Sequence, residues 1–91
     1  MAFYFGETRT ALDHLAAMWL QADSAGRRGI TAASHRIKKV LTYAGDSVGL
    51  PYPFGRLPTA KRIEIPPLAA VFVYMPTSGH VSVIDYLDIG P

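Results

Sequence analysis

The chain has 91 residues, 49% of them apolar, and this length and composition predict a single domain, residues 1–91, with its own hydrophobic core. Nine Lys and Arg residues stand against seven Asp and Glu residues, and so small an excess of positive charge does not by itself indicate nucleic-acid binding. The sequence contains no cysteine, which excludes disulfide bonds and thiolate zinc sites.

The N-terminal sequence MAFYFGETRT lacks the basic segment followed by an apolar core that marks a signal peptide. No apolar run approaches the roughly 20 residues that a helix needs to span a bilayer. We therefore expect a cytoplasmic protein that has no membrane partner.

The first part of the chain predicts a short strand followed by a helix. The aromatic run at residues 2–5 indicates the strand, and Gly6 closes it. Thr8 can cap the helix, which is expected over residues 8–22. Apolar residues recur along one side of this helix at three- and four-residue spacing, so that side is expected to be buried, with Trp19 in the core. These residues are Leu12, Leu15, Trp19 and Ala22.

A second helix is predicted after a connector of small residues. Residues 22–31 include two glycines and are interpreted as the link between the helices. A second apolar stripe begins at Ile30, and Gly45 is well placed as the C-terminal cap. Two apolar-faced helices joined in this way predict an antiparallel helical hairpin. The second stripe consists of Ile30, Ala33, Ile37, Val40, Leu41 and Ala44.

The segment after the helices, residues 46–59, is rich in proline and glycine and predicts a loop. Its apolar side chains are available to pin the loop onto the core. They are Val48, Leu50, Tyr52, Phe54 and Leu57.

Three strands are predicted in the last third of the chain. Residues 61–65 alternate between polar and apolar, residues 69–75 are nearly all apolar as in a central strand, and residues 80–87 alternate again. Proline has no N–H to donate to a sheet, so the Pro66-Pro67 pair is expected at the bend between two antiparallel strands.

These elements together predict an α+β fold. It consists of an N-terminal strand, an antiparallel helical hairpin and a three-stranded antiparallel meander. The helices are expected to pack on one face of a small sheet, with the N-terminal strand paired to one of the other strands.

Three stretches in this order resemble the RelE/ParE superfamily, the small toxins of bacterial type II toxin–antitoxin (plasmid stabilisation) systems. They are ALDHLAAMWLQA at residues 11–22, ITAASHRIKKVL at residues 30–41 and KRIEIPPLAAVFVYMPTSGHVSVIDYL at residues 61–87. The resemblance lies in pattern and length. It implies a toxin that a cognate antitoxin neutralises by wrapping the helical hairpin and the sheet, and a target that is either DNA gyrase or the ribosome with its messenger RNA.

The resemblance also implies candidate catalytic residues, because RelE-type members cleave messenger RNA with basic residues and a late tyrosine. These are carried over to Arg62, Lys61 and Tyr86, although neighbours on a strand point to opposite faces and only one of the two cations can face a given site. Ala69 and Ala70 stand where an arginine is usual, so the cleaving set is incomplete. Whether the protein is an enzyme stays open at this point. These departures from the RelE-type pattern favour a ParE-like or degenerate member of the superfamily.

Other polar residues give weaker indications. His14, His35 and His80 lack the close spacing of a metal-ligand pair, so no metal and no cofactor are expected. The Arg27-Arg28 pair at the tip of the hairpin is a candidate contact for an acidic partner.

A different class of function is also consistent with the sequence. The strand at residues 69–75 is apolar enough to be buried on both faces or at a dimer contact. The alternative is therefore a non-catalytic α+β interaction module that keeps the fold without toxicity. Such a module would self-associate through its sheet, for example as a homodimer.

Overall fold

A computed structural model describes residues 2–91, which form two helices and a mixed five-stranded sheet. The elements are β1 (Tyr4–Glu7), α1 (Arg9–Gln21), α2 (Ser24–Ala44), β2 (Leu50–Pro51), β3 (Lys61–Ile65), β4 (Leu68–Met75) and β5 (His80–Asp88). The strand order is β1-β5-β4-β3-β2. This confirms the α+β class and the β3-β4-β5 meander.

The N-terminal strand joins the sheet, as expected, and β2 adds a fifth strand that was not predicted. β1 joins β5 in parallel, with Tyr4 opposite His80, while the short β2 adds an antiparallel strand beside β3. The predicted antiparallel meander is therefore part of a larger, mixed sheet. The Pro66–Pro67 pair does join β3 to β4, as expected, and its peptide bond is cis.

The central strand β4 carries buried side chains on both faces of the sheet. Alternate residues of β4 (Leu68, Ala70 and Phe72) belong to the main core together with α2. Val71 is fully buried as well, but it points to the other face and lies outside that core cluster. The central strand is thus buried within one chain, and its apolar character does not require a dimer.

The second helix begins earlier than predicted. Asp23 caps α2, because its Oδ1 accepts a hydrogen bond of 2.8 Å from the Gly26 N–H, and the helix starts at Ser24. Most of the expected connector is therefore helical, and the link between the helices is only residues 22–23. Gly45 caps the helix C-terminus as predicted.

The inward side of α1 is only partly the one predicted, because Leu15 and Ala22 pack against the core but Leu12 and Trp19 do not. Thr8 is the N-cap, as expected, with its Oγ1 accepting from the Ala11 N–H at 3.2 Å. Ala11 is the one fully buried residue of α1, while Leu12 and Trp19 are 43% and 40% exposed. A stripe of smaller residues faces the sheet and allows α1 to lie close to β5. This stripe consists of Ala11, Leu15, Met18 and Ala22.

The loop after α2 is also less buried than predicted. Val48 packs against the core, but Leu50, Phe54 and Leu57 are 76%, 36% and 40% exposed. The expectation that these three side chains pin the loop to the core was wrong. Within residues 2–91, neither helix has the length and apolar character needed to cross a membrane.

Candidate functional site

The two cations proposed for catalysis lie next to each other on β3 but face in opposite directions. Lys61 is paired with Phe72 and therefore points toward the helix side of the sheet. The Arg62 guanidinium lies 5.4 Å from the centre of the Tyr52 ring, and its Nη2 lies 3.0 Å from the Glu64 carboxylate. Arg62 is thus held by an aromatic ring and by a carboxylate, and a bound phosphate would have to compete with Glu64.

The proposed catalytic tyrosine is buried and hydrogen-bonded. Tyr86 is 2% exposed, and its hydroxyl donates to Glu7 Oε2 at 2.5 Å. Burial, followed by the hydrogen bond and the charge of Glu7, raises the pKa of Tyr86 far above its ordinary value. The hydroxyl therefore keeps its proton.

Strand register separates this tyrosine from the arginine. Tyr86 pairs with Ala70, which in turn pairs with Ile63, and all three contribute to the helix side of the sheet. Arg62 precedes Ile63 and points to the other face. The fold does not bring Arg62 and Tyr86 to one face, and their catalytic roles stay predictions.

A buried carboxylate next to Tyr86 was not singled out from the sequence. Asp85 Oδ1 lies 2.5 Å from His14 Nδ1 on α1 and accepts a hydrogen bond of 2.9 Å from the Tyr86 N–H. The Asp85 side chain is 9% exposed and that of His14 is 53% exposed. The sequence signal for this carboxylate was an acidic residue, Asp85, in a strand whose other buried residues are apolar. The pair fixes α1 against β5.

Neither this pair nor the rest of residues 2–91 contains a group of three His, Cys, Asp or Glu side chains that could hold a metal ion.

The outer side of the helical hairpin carries an apolar groove of about 430 Å³, which we call the hairpin groove. It exists because the bulkier apolar stripe of α1 faces outward. Trp19 and Leu20 are 40% and 67% exposed, which is unusual for large apolar side chains so close together. The groove is lined by Leu12, Leu15, Ala16, Trp19 and Leu20 of α1 and by Ile30, Thr31 and Ser34 of α2.

The helix beside the groove is strongly cationic. α2 contains five Lys or Arg residues and no Asp or Glu. Residues 9–44 hold six Lys or Arg against two Asp, whereas the remaining residues hold three against five. Arg28, His35 and Lys39 are exposed and follow spacings of seven and four, so they share one side of α2. We call these three residues, two cations and an imidazole, the cationic ridge.

The two arginines predicted to contact an acidic partner at the hairpin tip, Arg27 and Arg28, have different surroundings. The Arg27 guanidinium lies 4.3 Å from the centre of the Trp19 ring, and it donates to the carbonyl oxygens of Trp19 at 2.9 Å and Leu20 at 3.2 Å. Arg27 therefore closes the C-terminus of α1. Arg28 is exposed and belongs to the cationic ridge.

The chain superposes on solved RelE and ParE toxin structures over nearly its whole length, so it has the RelE/ParE toxin fold. The toxin of the RelBE2 complex of Mycobacterium tuberculosis superposes with a TM-score of 0.75 at 14% identity, covering 97% of this chain and 92% of that one. The ParDE system of P. aeruginosa gives a TM-score of 0.74 at 15% identity, covering 97% of both chains. Isolated E. coli RelE gives 0.61 at 15% identity, covering 99% of this chain and 87% of that one.

These structures support the predicted resemblance at the level of the fold. No protein-family model matches the sequence. No curated protein matches it either.

Proposed function

We propose that this protein is the toxin of a type II toxin–antitoxin pair, acting in the cytoplasm and neutralised by a cognate antitoxin. The observation that carries the proposal is the likeness to a RelBE2 and a ParDE toxin over at least nine-tenths of both chains in each comparison. Both of those structures are toxin–antitoxin systems by name. The small domain would also gain stability from a bound partner.

The antitoxin surface that we propose is the hairpin groove with its cationic ridge. Exposed apolar side chains next to unbalanced positive charge fit an amphipathic helix whose apolar residues enter the groove and whose Asp and Glu residues meet Arg28, His35 and Lys39. Trp19 and Leu20 are the expected anchors, because large exposed apolar groups contribute most when an interface covers them.

We further propose that the toxin acts on DNA gyrase and does not cleave messenger RNA. RNA cleavage without a metal needs a proton acceptor, a proton donor and free cations around the phosphate. Support comes from Tyr86, whose hydroxyl is buried against Glu7, and from Arg62, which is paired with Glu64 on the other face. Lys61 alone does not supply these three functions.

The test is controlled expression in a bacterial host. Growth, messenger-RNA integrity and plasmid supercoiling are followed together. We expect growth arrest with altered supercoiling and intact messages, relieved when the cognate antitoxin is co-expressed. Cleaved messages would contradict the gyrase assignment. Unchanged growth with soluble protein would contradict the toxin assignment and favour a non-toxic interaction module.

A matched pair of variants tests the antitoxin surface. Leu20 and Tyr4 are 67% and 70% exposed, but Leu20 lines the hairpin groove, whereas Tyr4 on β1 lies outside the groove and the cationic ridge. Leu20→Asp is expected to arrest growth and resist rescue by the antitoxin, since a charge is placed where an apolar anchor should enter. Tyr4→Asp is expected to remain rescuable, and equal rescue of both variants would refute the placement.

A further inference from the structure

A second exposed apolar surface lies at the β2 edge of the sheet, on residues 50–59, which we call the projecting loop. Leu50 is 76% exposed, Leu57 is 40% exposed and Phe54 is 36% exposed. Single exposed apolar residues are ordinary, but three in one loop form a patch. None of them lines the hairpin groove.

The projecting loop is held in shape by its own hydrogen bonds. The Tyr52 N–H donates to the Ala60 carbonyl at 2.8 Å, and Phe54 and Leu57 exchange two backbone hydrogen bonds of 3.2 and 2.9 Å. Gly55, at the turn between them, has a positive φ of 55° that favours glycine. A loop that is fixed before binding loses little conformational entropy when a partner covers it.

The projecting loop itself carries only positive charge. Residues 50–59 contain Arg56 and no carboxylate, while Lys61 and Arg62 follow on β3, where Glu64 pairs with Arg62. Arg56 lies at the turn, between Phe54 and Leu57, and is exposed. A surface that complements the loop would therefore present an apolar pocket with Asp or Glu residues at its rim.

From these observations we infer that the projecting loop is the surface by which this protein docks on its protein target. The inference rests on the proposed toxin function and adds the contact site and the chemistry of its partner. Leu57 and Phe54 enter an apolar pocket of the target, and Arg56 pairs with a carboxylate at the pocket rim.

A protein fits this surface better than a nucleic acid does. Leu50 and Leu57 have no π face on which a base could stack. The two aromatic rings of the loop are already engaged, because the Arg62 guanidinium lies over the Tyr52 ring and the Tyr52 and Phe54 rings stack with their centres 6.5 Å apart. Arg62 in turn is paired with Glu64, which would repel a phosphate.

The experiment compares growth arrest by the full-length wild type with arrest by Leu57→Ser, Arg56→Glu and Arg56→Lys. Tyr43→Ser is the control, because it removes an exposed side chain outside the projecting loop. Thermal unfolding followed by circular dichroism reports on the fold of each variant. In parallel, a fluorescently labelled single-stranded RNA of mixed sequence is titrated with wild type and variants.

We expect Leu57→Ser and Arg56→Glu to weaken target binding at least about tenfold, as loss of an interface anchor does, and to abolish arrest without lowering the unfolding temperature. Arg56→Lys should keep most of the activity, because a rim carboxylate needs only a positive charge. Since Arg56 and Leu57 are exposed, both variants are expected to fold. If Leu57→Ser does not fold, Arg56→Glu still tests the docking role of the loop.

The outcomes separate this inference from the proposed function. Absence of arrest with the wild type would refute the toxin assignment itself. Arrest by the wild type and equally by Leu57→Ser and Arg56→Glu would refute only the docking role of the loop. RNA binding by the wild type that Arg56→Glu abolishes would also overturn the inference, since the loop would then contact nucleic acid.

Discussion

Substitution of Tyr86 by phenylalanine distinguishes a structural tyrosine from a catalytic one. The change removes a hydroxyl that donates to Glu7 at 2.5 Å from a ring that is 2% exposed. Hydrogen bonds to charged groups contribute about 1.5–3 kcal/mol, and since Glu7 is partly exposed to water we expect the lower limit, about 1.5 kcal/mol. For a domain of this size, such a loss lowers the unfolding temperature by roughly 6–12 °C.

The measurement is thermal unfolding by circular dichroism, together with growth arrest upon expression at a temperature where the variant stays folded. Tyr43→Phe is the control, because its ring is 65% exposed and the change should alter stability by less than about 0.5 kcal/mol. We expect Tyr86→Phe to be less stable but still able to arrest growth. An unchanged unfolding temperature combined with lost arrest would refute the structural role and indicate chemistry at Tyr86.

The same residue gives a prediction at alkaline pH. Because burial and Glu7 raise the pKa of Tyr86 in the folded chain, its contribution to stability is complete below the unfolded pKa of about 10 and is lost as the pH rises further. Of the five tyrosines in the chain, one should therefore ionise only when the protein unfolds. Absorbance near 295 nm measures this, and smooth ionisation of all five before unfolding would contradict it.

Three further substitutions test packing at named positions by urea or thermal unfolding. Arg27→Ala should lower the free energy of unfolding by about 1–2 kcal/mol, because the contacts by which Arg27 closes the C-terminus of α1 are lost. Arg28→Ala should change the free energy of unfolding little, and equal effects of the two substitutions would contradict this role of Arg27. Gly49→Ala should cost about 1–3 kcal/mol, since its φ is 91° and a Cβ would lie 3.0 Å from a core phenylalanine ring. Gly55→Ala, with a positive φ but no neighbour within 4 Å, should cost less, and the reverse order would count against this reading. Asp85→Ala should cost about 1–3 kcal/mol by leaving a buried backbone N–H unpaired, and Asp85→Asn should restore part of it; a neutral alanine variant would show that the carboxylate is dispensable.

Local sequence signals predicted those parts of the fold whose partners are near in sequence. Thr8 and Gly45 were recognised as helix caps, and the meander followed from three short strands separated by turns. The start of α2 was missed because two glycines near it were interpreted as a break. The cap by Asp23 and the length of the 21-residue helix outweigh the cost of about 1 kcal/mol that each glycine adds.

The parts that were missed depend on distant partners. The parallel pairing of β1 with β5 has no local signal, because its residues come from opposite ends of the sequence. For α1 the sequence carries two apolar stripes, and only packing against β5 decides that the smaller one is buried. The outward position of Trp19 and the hydrogen bond from Tyr86 to Glu7 follow from that packing.

The pairing of Tyr4 with His80 also sets the order in which the molecule can assemble during synthesis. β1 has no partner until β5 has been synthesised, and closing the long loop between them is slow. Residues 4–7 therefore join the sheet last, after β3, β4 and β5 have paired. A chain ended at Gly79 is expected to be digested throughout by a protease that spares the full-length protein.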